Sequence, residues 1–285
     1  MSGAHDNTHG SRRMLGDALP LVSILVRTVN RPYYLAECLE SIELQSYPNI
    51  QIVLVNDGGP SVRAVVDSLT LTKSLDLIEL PRNIGRSASG NVALAAARGE
   101  YIGFIDDDDI FYPTHVEVLV DALLQKRGGQ SRTLVAYSDA IQADQVKCPF
   151  DDRLYMTTAV KLHYSQDFSL PMLLQTNYIP ILCPLFAASL LRPRFGSDDR
   201  LRVDGLDVQF DTMLDVLEDW DFWIQLGLRS SFVHVRQITA EYRIRRDGSN
   251  TVGQFQHRWE WSREYIRDKY QHHLVSPQQA AEFRG

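Results

Sequence analysis

Four consecutive aspartates, Asp106-Asp107-Asp108-Asp109, stand between an apolar run, Tyr101 to Ile105, and the aromatic pair Phe111-Tyr112. Neighbouring carboxylates about 5 Å apart repel by roughly 3 kcal/mol at an effective dielectric near 20, so something must offset the charge. A solvated acidic turn would do so on a polar surface. Beside an apolar run and two aromatics, a hard divalent cation held by carboxylate oxygen and by substrate phosphates fits better. A second acidic group, Glu218-Asp219-Trp220-Asp221-Phe222-Trp223, opens a segment with helical periodicity. The helix dipole favours acids in a first turn, and the aromatics could be core. So many acids beside two tryptophans exceed that need, and a carboxylate at a crevice rim is what activates a hydroxyl as a nucleophile.

The scaffold that must place these residues is α/β. From Pro20 onward, short β-branched runs alternate with helical periodicity, the signature of βαβ units around a mostly parallel sheet. Strands are predicted at Leu21 to Arg27, Gln51 to Val55, Asp76 to Leu80, Tyr101 to Ile105 and Thr133 to Tyr137. Helices are predicted around Leu35 to Ile42, Val62 to Leu69, Ser87 to Arg98, and from Pro113 through Leu124, with Pro113 just inside the last one. From Val146 to Met213 the pattern is irregular and turn-rich. A helix at Glu218 to Leu228, strands at Ser231 to Val235 and Ile238 to Arg243, and a final helix at Gln256 to Tyr270 follow.

Ligands of parallel α/β sheets bind outside the carboxyl ends of the strands. Four polar loops follow the predicted strands: Arg27-Thr28-Val29-Asn30-Arg31, Asn56-Asp57-Gly58-Gly59, Arg82-Asn83-Ile84-Gly85-Arg86 and the aspartate run. Each alone is ordinary turn chemistry. Together on one sheet edge they describe a ligand crevice. The loop after the first strand lacks GxGxxG, which disfavours a dinucleotide-binding Rossmann domain, and has no glycine at all, which disfavours a sugar nucleotidyltransferase.

Composition narrows the classes further. A net charge of −7 and a pI near 5.6 argue against nucleic acid as a partner. Cys38, Cys148 and Cys183 form no CxxC pair, so neither a disulfide framework nor a zinc site is indicated, and a cytoplasmic setting is expected. The longest apolar stretch, Tyr178 to Leu191, is broken by Pro180 and Pro184 and falls short of the ~20 residues of a membrane span, which leaves peripheral membrane association open.

The ordered series Val22-Ser23-Ile24-Leu25, Asn30-Arg31-Pro32, Ser46-Tyr47-Pro48, Asn56-Asp57-Gly58, Asn83-Ile84-Gly85, Gly99-Glu100-Tyr101-Ile102 and Asp106 to Asp109 with Pro113 resembles family 2 inverting glycosyltransferases of GT-A fold. Phe210-Asp211, Glu218 to Trp223 and Tyr242-Arg243 extend the resemblance more sparsely. It implies a Rossmann-like, mostly parallel sheet flanked by helices, with an irregular acceptor-side second half. The implied organisation is a lead-in or linker at 1–19, a nucleotide-sugar-binding half at 20–140, an acceptor-binding and catalytic-base half at 141–270 and a tail at 271–285, the whole standing alone or as one domain of a larger protein.

Residue by residue, the resemblance places Thr28, Asn30, Arg31, Asp57, Asn83, Arg86, Asp106 and Asp107 around the nucleotide, with Asp57 toward a base N–H. Asp108, with Asp106, would hold Mn²⁺ or Mg²⁺. Asp219 would be the general base and Glu218 its positioning neighbour, with Trp220 and Asn177 on the acceptor side and Arg243 and Arg245 near the diphosphate. The implied reaction moves a sugar from a nucleotide diphosphate sugar, UDP being the family's commonest nucleotide, to a hydroxyl of a carbohydrate or lipid-linked glycan acceptor. Three departures stand out: Asn56 where the family commonly has Asp, Gly90 before Asn91 where it commonly has Arg, and Ile244-Arg245 after Tyr242-Arg243 where it often has His. The rival reading is a non-catalytic GT-A-like domain that binds a nucleotide sugar or glycan within a larger assembly.

Overall fold

The computed structural model describes residues 18–127, 133–151, 155–192, 207–245 and 256–274; most of the expected lead-in and tail, 1–17 and 275–285, lies outside them. Strands β1 (Val22–Thr28), β2 (Ile50–Asn56), β3 (Ser74–Glu79) and β4 (Tyr101–Asp106) pair in parallel in the order β3-β2-β1-β4. Every residue of β1 and β2 is buried, as strands covered on both faces require. Helix α1 (Pro32–Glu43) buries Leu35, Cys38, Leu39 and Ile42, the stripe its periodicity predicts. Helix α2 (Arg63–Ser68) is short and buries none of its residues fully; Val62, just before it, takes the core position instead.

Helix α3 (Arg86–Ala96) contains Gly90, where a Cβ would come within 2.7 Å of the Phe210 ring. That close approach explains the glycine. Asn91 clamps the same segment, donating to the Phe210 carbonyl at 2.9 Å and accepting its N–H at 2.8 Å. After the two-residue strand β5 (Ile110–Phe111), helix α4 runs from His115 to Arg127. Pro113 therefore precedes the helix, and its carbonyl accepts the Ser46 N–H at 2.8 Å.

The second half is more regular than its sequence suggests. Strand β6 (Thr133–Lys147) runs well past the predicted Tyr137 and crosses residues 140 and 141, so both halves of the chain share one sheet. Strands β7 (Tyr155–Tyr164) and β8 (Pro184–Ala187) and the one-turn helix α5 (Leu170–Leu173) occupy the stretch read as irregular. The two strands predicted after 230 are one, β9 (Ser231–Arg245), because pairing with β6 absorbs Arg236 and Gln237 as a bulge between Val235 and Ile238. The sheet continues β4-β8-β6-β9-β5, with β7 on β6; β6 and β9 run in the sense of β1 to β4, and β8 is antiparallel to both its neighbours.

Helix α6 (Glu218–Gly227) docks through aromatic packing. Phe222 and Trp223 meet Phe104 of β4 and Phe186 of β8 with ring centroids 5.6 to 6.3 Å apart, and Phe210 stacks on Phe222 at 4.7 Å. This cluster sets the first turn of α6 beside the carboxyl end of β4. Helix α7 (Gln256–Leu274) packs across it, with Lys269 on Asp211 (2.7 Å) and Asp221 (2.8 Å) and the Tyr270 hydroxyl on Asp221 at 2.9 Å. No helix among the described residues is long and apolar enough to cross a membrane.

Candidate active site

Strands β1, β2 and β4 end at Thr28, Asn56 and Asp106, so the loops that follow them share one edge of the sheet. A cleft of 440 Å³ opens there. Asp106, Asp108, Arg31, Arg86 and Arg243 line one side; Glu218, Asp219 and Trp220 line the other with Gln175, Thr176 and Asn177, and α7 adds Trp259, Arg263 and Arg267.

The repulsion within the aspartate run is offset by arginines. Arg27, buried at the end of β1, donates to Asp106 at 2.8 Å, and Arg31 bridges Asp107 and Asp108 at 2.7 Å each. Arg245, also buried, pairs with Asp108 and lies over the Tyr34 ring at 4.0 Å. Asp107 accepts the Thr28 hydroxyl at 2.6 Å, and Asp109 accepts the Arg243 backbone N–H at 2.9 Å. Burial works against the charged form of Asp106, but Arg27, Arg86 and Arg31 hold its pKa down at about 2. Burial pushes Asp107 up to about 7 against the pull of Arg31. Burial, then the charges of Asp108 and Asp106, also raise Asp109, one of whose oxygens is buried without a hydrogen bond.

The opposite side is built differently. Leu217, immediately before α6, has φ of 61°, a left-handed conformation that costs a β-carbon residue about 1–3 kcal/mol and persists where surrounding structure imposes it. It turns the chain into α6 so that Glu218 and Asp219 both reach the cleft. Glu218 receives Arg27 at 3.1 Å and Arg86 at 3.6 Å. Asp219 receives the Asn177 amide at 3.0 Å and the Trp220 N–H at 2.8 Å. Burial, and then the neighbouring Glu218 charge, push Asp219 up to about 7. Asp221, the third acid, points into the protein and anchors α7.

Nine of the residues singled out from sequence therefore meet in one cleft: Arg31, Arg86, Asp106, Asp108, Asn177, Glu218, Asp219, Trp220 and Arg243. Thr28 and Asp107 are buried against each other. The Asp57 carboxylate accepts the backbone N–H groups of Ile84 (2.8 Å) and Gly85 (3.1 Å), so it ties two of the edge loops together, and a base N–H would have to share it. Asn83 also accepts from Gly85, at 3.1 Å, and Asn30 is exposed with φ of 55°. Arg245 does not line the cleft; it backs Asp108.

Trp220 is 2% exposed, with its indole N–H on the Leu173 carbonyl, so it is a buried brace rather than a face for a sugar. The half-buried tryptophan of the cleft is Trp259, to which the sequence assigns no role, nor to Arg263 and Arg267; Arg27 figures there only as a member of a polar edge loop. Arg27 carries a readable signal: a cation at the end of an apolar strand needs a buried anion. The spacing of four between Trp259, Arg263 and Arg267 marks one helix face, but nothing in the sequence says which face meets the cleft.

An α/β sheet with acid-lined loops at its carboxyl edge and a second acidic helix start across a cleft defines the GT-A class of architecture. Residues 23–141 match Glycosyl transferase family 2. The chain is 30% identical over 169 residues to an uncharacterized glycosyltransferase of Haemophilus influenzae, covering 59% of this chain and 62% of that protein. Its fold is similar to that of S. aureus TarS 1-349 in complex with UDP-GlcNAc (TM-score 0.58, 20% identity, 80% of this chain and 60% of that one). It is also similar to mannosyltransferase PcManGT of Pyrobaculum calidifontis in complex with GDP-Man and Mn²⁺ (TM-score 0.53, 18% identity, 80% and 58%). The chain thus spans about three fifths of the length of each of these proteins.

Proposed function

We propose that the chain is an inverting glycosyltransferase that moves a sugar from a nucleotide diphosphate sugar, UDP in the first instance, to a hydroxyl of a glycan or glycolipid acceptor, as cell-surface polysaccharide synthesis requires. The observation that carries this reading is the inequality of two adjacent carboxylates facing one cleft. Glu218 is neutralised by Arg27 and Arg86, whereas Asp219 meets only neutral donors and sits near pKa 7. Environments that push neighbouring acids apart mark the one that takes a proton. Asp219 then accepts the proton of the acceptor hydroxyl as it attacks the anomeric carbon in line with the departing diphosphate. Arg31, Arg86 and Arg243 border the space that the diphosphate would occupy.

Asp106 and Asp108 are hard oxygen donors that line the same cleft, but no group of three or more His, Cys, Asp or Glu among the described residues could hold a metal by itself. Two carboxylates suit Mg²⁺ or Mn²⁺ when substrate phosphates and water complete the shell. A cation held there would neutralise charge on the leaving diphosphate. The nucleotide sugars of the two similar complexes, and the Mn²⁺ of one of them, support the same reading.

The test is to incubate the purified chain with UDP- and GDP-hexoses with and without Mn²⁺, following nucleoside diphosphate release and transfer to glycan acceptors. Cation-dependent release is expected. Tight binding of donor with no turnover under any acceptor would favour a non-catalytic binding domain.

A further inference from the structure

The arginines of the cleft are not equivalent. Arg31, Arg86 and Arg243 each pair with carboxylates. Arg263 and Arg267 line the same cleft from α7 and are exposed, and neither pairs with a carboxylate among the described residues, although the chain as a whole carries a net charge of −7. Exposed arginines on a helix are ordinarily a solvated face. Here a second feature accompanies them: the indole N–H of Trp259, one helical turn before Arg263 on the same face, is buried without a hydrogen-bond partner among the described residues. Buried donors of this kind call for an explanation, and a ligand oxygen is one. The three residues present donors and no acceptor over about 12 Å of helix, at 1.5 Å per residue. The helix is held in place by Lys269 and Tyr270 on Asp221, so the donor row has a fixed position relative to Asp219 two residues before it.

We infer that this row recognises an anionic group, phosphate or carboxylate, on the acceptor, placed beside the hydroxyl that Asp219 deprotonates. Guanidinium forks match either oxyanion, and charge-assisted bonds at a cleft rim outweigh neutral ones. The inference rests on the transferase reading of the cleft and adds the acceptor's chemical class. A neutral glycan could accept hydrogen bonds from these groups but would leave both guanidinium charges without a counter-charge.

The test titrates the full chain, saturated with UDP and Mn²⁺, with methyl glucoside, glucose 6-phosphate and glucuronate. At least one charged sugar should bind roughly tenfold or more tighter than the neutral one, and the preference should shrink in high salt. The relative affinity of the two charged sugars distinguishes phosphate from carboxylate. Arg263→Gln/Arg267→Gln should erase the preference and leave UDP affinity and melting temperature unchanged. Equal behaviour of all three sugars, the absence of binding by any included, would overturn the inference. So would a preference that survives the double substitution, or a parallel loss of UDP affinity, which would assign the arginines to the donor. Failure of UDP and Mn²⁺ to bind at the outset is read in a separate titration and counts against the transferase reading itself.

Discussion

The two sides of the cleft carry similar numbers of acids and treat them in opposite ways. On the β4 side, Asp106, Asp107 and Asp108 are tied to Arg27, Arg31 and Arg245. On the α6 side, one acid is paired and the next is not. Against burial, pairing with Arg27 holds the pKa of Asp106 at about 2, whereas burial raises both Asp107, despite Arg31, and Asp219 to about 7; of these two only Asp219 lines the cleft, where a carboxylate of high proton affinity can meet a substrate. The arrangement therefore sets a charge scaffold beside the proposed base within one small volume, with Arg27 joining the two sides through Asp106 and Glu218.

The sharpest way to break that contrast is Asp219→Asn. It keeps the size of the side chain, removes the proton acceptor, and should lower transfer by roughly 10²–10⁴-fold with donor affinity nearly unchanged. The same substitution should raise stability at alkaline pH. A carboxylate whose folded pKa is raised from 3.8 to about 7 contributes stability at low pH that is lost as pH rises through that window, and the amide has no such loss. An Asp219→Asn protein that is destabilised at pH 8 yet active would show that Asp219 only caps the helix.

Arg27→Met tests the scaffold. It leaves Asp106 and Glu218 without their shared buried cation and should cost about 3–5 kcal/mol in denaturant unfolding. A loss below about 1 kcal/mol would mean that water screens these pairs as it does surface ones.

Asp108→Asn should weaken UDP binding in Mn²⁺ by about tenfold, an estimate for the loss of one hard ligand, and leave binding in EDTA unchanged. Calorimetry in the two buffers decides this. Equal affinities of the unsubstituted protein in both would remove the cation from the site.

The smallest effect concerns the fine setting of the base. Transfer by the unsubstituted protein should rise with pH through about 7 as Asp219 loses its proton. The Asn177 amide stabilises the Asp219 anion. Asn177→Ala should therefore move the midpoint of that profile upward, with the plateau at high pH nearly retained. A pH profile flat from 5 to 9 would place the rate-limiting step elsewhere.

Apart from the two-residue β5, which exists only by pairing with β9, the strands and helices up to residue 127 were legible because each is a local pattern. The all-apolar β1 and β2 and the Leu35, Cys38, Leu39, Ile42 stripe follow from periodicities of a single element, and the four edge loops follow from the strand ends. The acids at 106–109 and 218–219 were legible for a similar reason, since clustered carboxylates need a cause wherever they occur. What only the tertiary structure decided is which of these acids has a partner. Arg27 and Glu218 are 191 residues apart in sequence and 3.1 Å apart in space, and Arg245 reaches Asp108 across 137 residues. The described strands between residues 146 and 192 were hidden for the same reason: β8 is four residues long and is a strand only because β4 and β6 flank it. Local propensity cannot report a long-range pairing, and pairing is what distinguishes Glu218 from Asp219, buries Trp220 and turns Arg263 and Arg267 toward the cleft.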